Sequence, residues 1–190
     1  MKIFFDTEFT GLHQHTTLIS IGLVAEDGRY FYGEIIDYAK HQIDEWIHKN
    51  VIENLKFKGQ LGFKSPDYET NNYSFEMCDY KERVSAELRR WLGQFNKVEW
   101  VSDVCHYDFV LLIDLLYGHA LKMPYGVLNA ACHDINQDVA NRYGIDEIKA
   151  FDISRESIVD DIGIEIDGEK HNALYDAYVI KAIYDRCKSL

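Results

Sequence analysis

Asp6 and Glu8 stand two residues apart inside "FFDTEFTG" (residues 4–11), an apolar run with strand character. Side chains two apart on a strand share a face, so both carboxylates project together while Phe5 and Phe9 point the other way. Two ionised carboxylates on one face of a buried-type strand lose hydration and repel one another. A hard divalent cation removes both penalties, because Mg²⁺ takes oxygen ligands. By the same alternation Phe4 shares the acids' face and should lie beneath them as an apolar floor, with Phe5 packed on the opposite side of the sheet. The plainer reading puts one acid on a solvent face and the other at the turn made by Thr10-Gly11.

Two further fragments carry similar chemistry. In "VSDVCHYDFVLL" (residues 101–112), Asp103 ends a strand and Asp108 falls in the first turn of a helix. That is the carboxyl end of the strands, where open α/β sheets bind ligands, although Asp108 also suits the helix dipole alone. In "HNALYDAYVIKAIYD" (residues 171–185), His171 precedes Asp176 by five residues. At 100° per residue they are about 140° apart around a helix, so both face one site only if His171 lies in or just before the first turn. Gly168 supplies a flexible approach to that turn, and the small Ala173 lets the helix come close to a sheet. His13 and His15 lack the partners of a zinc site. His133 and Asp134 read as a helix cap or scaffold contact, with Asp134 a candidate for holding the catalytic helix.

The elements that must position these groups follow from periodicity. Residues 2–9 read as a strand and 17–36 as a hairpin turning at Asp27-Gly28. Helical spacing covers 43–55 and 80–95, with apolar residues at 43, 46, 47, 51, 52 and 55 in the first. Between them, 56–79 is rich in Gly, Asn and Tyr and holds Pro66, and reads as a long surface excursion, a lid or a partner-binding loop. A buried-type strand at 98–103 leads into a helix over 107–117. A short strand then precedes a helix over 133–144 closed by Gly144, another over 154–163 capped by Ser154 with Glu156, and a final helix over 169–188. Strands first and helices later predict an α/β fold with a mixed five-stranded sheet, its first three strands antiparallel, flanked by helices.

Bulk properties set the outer limits. A chain of 190 residues with 47% hydrophobic content supports one domain over 1–190. A formal net charge of −12 argues against broad, nonspecific coating of nucleic acid. It leaves nucleic acid open as a substrate, since cations held by carboxylates reverse the local field. Cys78, Cys105, Cys132 and Cys187 are scattered and read as reduced thiols of a cytoplasmic protein. No apolar stretch approaches the roughly 18 residues of a membrane span.

The order of the acidic fragments resembles that of the DEDDh 3′-5′ exonucleases, which have a ribonuclease H-like fold. Asp6, Glu8, Asp108 and Asp176 match the four acids of that family, and His171 its histidine. "DTEFTGL" (6–12) is similar to the first motif of proofreading subunits and oligoribonuclease. "LISIGLVAEDGRYFY" (18–32) and "WVSDVCHYDFVLL" (100–112) resemble the ribonuclease AS-like exoribonucleases, a likeness covering nearly the whole chain. The resemblance implies hydrolysis with two Mg²⁺ ions, Mn²⁺ substituting, roughly 3.5 to 4 Å apart. Asp6 would bridge them, Glu8 and Asp176 complete one shell, Asp108 bind the second ion directly or through water, and His171 act as general base.

It further implies substrate contacts from Phe9, Thr10, Gly11, Leu12, His106 and Tyr107, single-stranded RNA with a free 3′ end as partner, and a homodimer. One departure stands out: many relatives carry His-Asn a few residues before the second-motif Asp, where this chain has Asp103 and Val104. His106, Asp103 and the 56–79 segment are candidates to substitute. A DNA exonuclease of the proofreading type and a catalytically silent nucleic-acid-binding module are the competing readings.

Overall fold

Apolar alternation draws the first three strands together as the sequence predicts. In the computed structural model, which describes residues 1–64, 73–124 and 126–189, β1 (Lys2–Phe9), β2 (Leu18–Ala25) and β3 (Tyr30–Ile35) form an antiparallel ladder. On β1's other edge run β6 (Val98–Ser102) and β7 (Leu128–Asp134), both parallel to it.

Among the described residues the sheet has seven strands where the sequence predicts five, in the order β4-β5-β3-β2-β1-β6-β7. The additional pair, β4 (Gly62–Lys64) and β5 (Phe75–Asp79), comes from the 56–79 segment expected as a surface excursion. β5 lies parallel to β3, buries Met77 and Cys78, and stacks Phe75 on Phe31. Long-range pairing thus overrides a local composition that reads as loop. Residues 65–72, including Pro66, lie outside the described residues.

The 43–55 helix is also divided: α1 (Glu45–Asn50), capped by Asp44, gives way to a 3₁₀ turn at Ile52–Asn54. α2 (Lys81–Leu92) and α3 (His106–Tyr117) follow. α4 (Ile135–Tyr143) ends at left-handed Gly144, α5 (Glu147–Asp152) is an unanticipated helix, and α6 (Arg155–Ile162) starts at the Ser154 cap. α7 (Ala173–Lys188) begins four residues later than the 169–188 reading.

Strand alternation sorts the core onto two faces. Ile3, Phe5, Ile21, Leu23 and Phe31 pack with Leu88 of α2 and Leu112 of α3. Phe4 and Val101 pack on the other face with Val139 of α4, Ile158 of α6, and Val179, Ile180 and Ile183 of α7. Phe4 therefore lies under the acidic residues of β1 and Phe5 across the sheet from them, each fully buried. Burial of such a ring stabilises the fold by roughly 1.5–3 kcal/mol.

One glycine brings the last helix onto the sheet. Gly22 of β2 pairs with Asp6 of β1. A Cβ on Gly22 would come 2.2 Å from the Ala173 carbonyl oxygen. Only the missing side chain lets the start of α7 lie against β2, beside Asp6.

Candidate active site

β1 runs on beyond β6. Their pairing covers only Lys2–Phe4, leaving the edge of β1 open further along. Asp108, in the first turn of α3, fills the opening: its Oδ1 accepts from the Thr7 backbone N–H at 3.0 Å and the Thr7 hydroxyl at 2.6 Å. The turn before α3 is strained, with the β-branched Val104 at φ 48°. Asp134 supports that turn, its Oδ1 accepting from Val104 N–H at 3.3 Å and from Asn136 N–H at 2.9 Å. Asp134 thus anchors the approach to the helix that carries Asp108.

From the opposite side α7 delivers Asp176 in its first turn. His171 lies outside the helix in the left-handed region, φ 62°, just before the Asn172 cap. This resolves the angular conflict of a five-residue spacing, because His171 is free of the helical rotation. Ligand atoms of Glu8, His171 and Asp176 all lie within 4.8 Å of one another. His171 Nδ1 is 3.8 Å from Glu8 Oε1, and the Trp46 ring stands edge-on to the imidazole at 5.1 Å.

Burial dominates the electrostatics. It raises the Asp6 carboxyl well above the usual range, helped by Asp108, Asp176 and Glu8, and does the same to Glu8 beside Asp176 and Asp108. Burial likewise lifts Asp108 to about 6 against the Thr7 hydrogen bonds, and Asp176 to about 7 against the His171 backbone N–H. Desolvation, then the charge of Lys170, lowers His171 below its ordinary value, with Glu156 pulling the other way. The four carboxylates are unfavourable together as free anions and favourable around a hard cation, so their oxygens fit Mg²⁺ or Mn²⁺.

The chain also resembles known proteins in sequence and in fold. The family model of the 3′-5′ exoribonuclease Rv2179c-like domain matches residues 1–187. The chain belongs to that family. It is 31% identical over 99 residues to the 3′-5′ exoribonuclease Rv2179c of Mycobacterium tuberculosis (strain ATCC 25618 / H37Rv), covering 52% of this chain and 58% of the relative. The chain thus spans little more than half the length of the curated relatives it matches. In fold it is similar to S. pombe Pop2p in a Mg²⁺- and Mn²⁺-bound form, with TM-score 0.60 and 18% identity over 99% of this chain and 82% of that one. It is also similar to a 3′-exonuclease in a structure of histone mRNA stem-loop recognition, with TM-score 0.62 and 14% identity over 97% of this chain and 62% of that one.

Across this Rv2179c-like domain, a cleft of about 810 Å³ gathers Asp6, Glu8, Asp108, His171 and Asp176, with Phe9, Gly11 and Leu12 from the end of β1. Other expected contacts stand apart from it. Thr10 is buried, its hydroxyl held by Gln42 and accepting from Thr17 N–H at 2.8 Å, which makes it a brace for the turn. His106 is exposed and lines a separate hollow with Asn136 and Glu147. Tyr107 stacks its ring on Phe9 at 5.5 Å, behind the cleft wall.

Sequence reasoning missed several cleft residues. Trp46 counts as core by helical spacing, yet it is 55% exposed, and with Leu12 at 77% and Phe151 at 56% it forms an apolar rim. Asp103 is claimed by Arg155, whose Nε and Nη2 donate to its two oxygens at 2.6 and 2.9 Å. That pairing occupies both oxygens of Asp103, which still lines the cleft. An Arg and an Asp 52 residues apart give no local signal of the bond.

Proposed function

We propose that the chain is a metal-dependent 3′-5′ exoribonuclease, acting through residues 1–190 as one exonuclease domain. The observation that carries the reading is the convergence of Asp6, Glu8, Asp108 and Asp176, from three separate elements, on one cleft shared with His171. Membership of the exoribonuclease family supports it.

In this reading Asp6, Glu8, Asp108 and Asp176 would hold two divalent cations, Mg²⁺ or Mn²⁺, which when bound would supply positive charge to offset the negative charge developing on the phosphate and on the departing 3′ oxygen. His171, kept neutral by its buried setting, accepts the proton of the attacking water. The water oxygen bonds to phosphorus as the bond between phosphorus and the 3′ oxygen breaks, and the 3′ oxygen takes a proton from solvent, releasing a nucleoside 5′-monophosphate and leaving an RNA one nucleotide shorter with a new 3′-OH. Backbone groups at Gly11 and Leu12 would contact the terminal sugar, and Leu12, Trp46 and Phe151, which line the cleft, would give bases apolar surfaces to pack on with little regard to sequence. No helix among the described residues is long and apolar enough to cross a membrane. The homodimer implied by the resemblance and the cytoplasmic location read from the scattered cysteines belong to the same proposal; sedimentation of the purified chain tests the former.

Digestion of 3′-labelled single-stranded RNA and DNA of identical sequence, with Mg²⁺ and with Mn²⁺, tests the substrate. Faster loss of the RNA label supports the reading. Faster loss from DNA replaces it with a DNA exonuclease, and retained label on both, with nucleic acid still bound, replaces it with a silent binding module.

A further inference from the structure

The backbone that presents His171 is gripped on both sides by a residue outside the cleft. Asn54 ends the 3₁₀ turn after α1 and lines a neighbouring hollow rather than the catalytic cleft. Its Nδ2 donates to the carbonyl oxygen of Lys170 at 2.8 Å, just before His171. Its own carbonyl oxygen accepts from Asn172 Nδ2 at 2.9 Å, just after His171. The side chain of each asparagine thus holds backbone of the other segment, and the residue between the two attachment points is His171.

The lock is anchored in the core. Asn172 Nδ2 also donates to the Tyr32 hydroxyl at 3.3 Å, and that hydroxyl donates to Glu34 Oε1 at 2.9 Å. Burial, with Glu34 alongside, raises the Tyr32 hydroxyl far above its ordinary value, so it stays a donor. Asn172 Oδ1 meanwhile accepts from Leu174 N–H at 3.2 Å and caps α7. The left-handed conformation of His171 is one that non-glycine residues rarely adopt unless their surroundings fix it.

We infer that Asn54 is a positioning residue for the His171 base, fixing the backbone on either side of the imidazole so that it meets Glu8 and the attacking water. The inference rests on the exonuclease reading above. Asn54 is not among the residues that line the cleft; its side chain donates to the Asn50 and Lys170 carbonyls and its carbonyl oxygen accepts from the Asn172 side chain, so its contribution passes through His171 and should vanish when the imidazole is gone.

A double-mutant cycle tests this. Asn54→Ala should lower kcat at least about 10-fold, as expected for a misplaced catalytic group, with KM within about 2-fold of wild type. Binding of Mn²⁺ alone, measured by calorimetry, should stay within about 2-fold, because none of the four carboxylates is touched. In the His171→Asn background the same substitution should lower kcat by less than about 2-fold. Asn54→Asp, equal in size but turning an acceptor toward the Lys170 carbonyl, should be at least as damaging. Tyr32→Phe, which deletes one hydroxyl further along the chain of bonds, should show a smaller loss that also disappears in the His171→Asn background. It serves if Asn54→Ala does not fold.

An Asn54 loss that persists in full in the His171→Asn background overturns the inference. So does a wild-type kcat for Asn54→Ala beside a strongly impaired His171→Asn, a result that leaves the exonuclease reading standing. A wild-type rate for His171→Asn itself removes the base assignment and the inference with it.

Discussion

His171 Nδ1 stands 3.8 Å from Glu8 Oε1, although the two are 163 positions apart in the chain. Imidazole and carboxylate meet because His171 leaves the helix in a left-handed turn. Asparagine tolerates that conformation better than other side chains, so His171→Asn keeps the backbone and deletes only the base. The variant should fold normally and lose on the order of 10²- to 10⁴-fold in kcat. Single-turnover kinetics check the loss, and Mn²⁺ calorimetry checks that the cation site survives.

The acidic cluster sets an unusual pH dependence on stability. Asp108 at about 6 and Asp176 at about 7 lie above the roughly 3.9 of an unfolded aspartate, so the folded chain binds more protons in that interval. Stability of the metal-free protein should therefore fall as pH rises from about 4 to about 7, the reverse of a salt-bridged carboxylate. Millimolar Mg²⁺ should flatten the fall, and Asp176→Asn should raise the melting temperature of the EDTA-treated protein at neutral pH while ending activity. Thermal melts across pH, with and without Mg²⁺, decide it; a metal-free melting temperature that climbs toward neutrality contradicts the cluster.

Gly22→Ala should separate the helix from the sheet. The new Cβ would come 2.2 Å from the Ala173 carbonyl oxygen, so α7 must shift and carry Asp176 and His171 with it. The expected cost is roughly 1–3 kcal/mol of stability, together with loss of nuclease activity beyond what that destabilisation explains. Urea denaturation and activity at a temperature where the variant is fully folded measure the two parts.

Arg155 holds the helical layer to the catalytic end of the sheet. Besides its bidentate grip on Asp103, it donates to the carbonyl oxygens of Ala150 and Ile153 and to Asn136 Oδ1. Its side chain is 13% exposed and that of Asp103 18%. Arg155→Met leaves a mostly buried carboxylate without its partner beside Asp6, and should destabilise by about 3 kcal/mol. Asp103→Asn, which can still accept from the guanidinium, should cost clearly less. Urea midpoints of the two variants compare them.

Local patterns foretold some of this molecule and not the rest. The two acids of β1, the turn at Asp27-Gly28, the Gly144 and Ser154 caps and the first-turn Asp176 are written in nearest-neighbour chemistry, and each falls where it is expected. β5 is not, because its burial comes from pairing with β3 rather than from its polar surroundings. Trp46 fits a core stripe by spacing, and only the arrival of His171 from the far end of the chain turns its site into a cleft rim. The Asn54 to Lys170 bond and the Arg155 to Asp103 pair join residues 116 and 52 apart, beyond the reach of periodicity.

The activity proposed for this chain is stepwise, cation-dependent release from the 3′ end. A 5′-labelled single-stranded RNA incubated with the chain and Mg²⁺ should shorten through a ladder of one-nucleotide steps, with nucleoside 5′-monophosphates accumulating in the soluble fraction. EDTA or Asp6→Ala should abolish both the ladder and the mononucleotides. Internal fragments in place of the ladder, products ending in 3′-phosphate, or unchanged release in EDTA would contradict a metal-dependent 3′-5′ exonuclease.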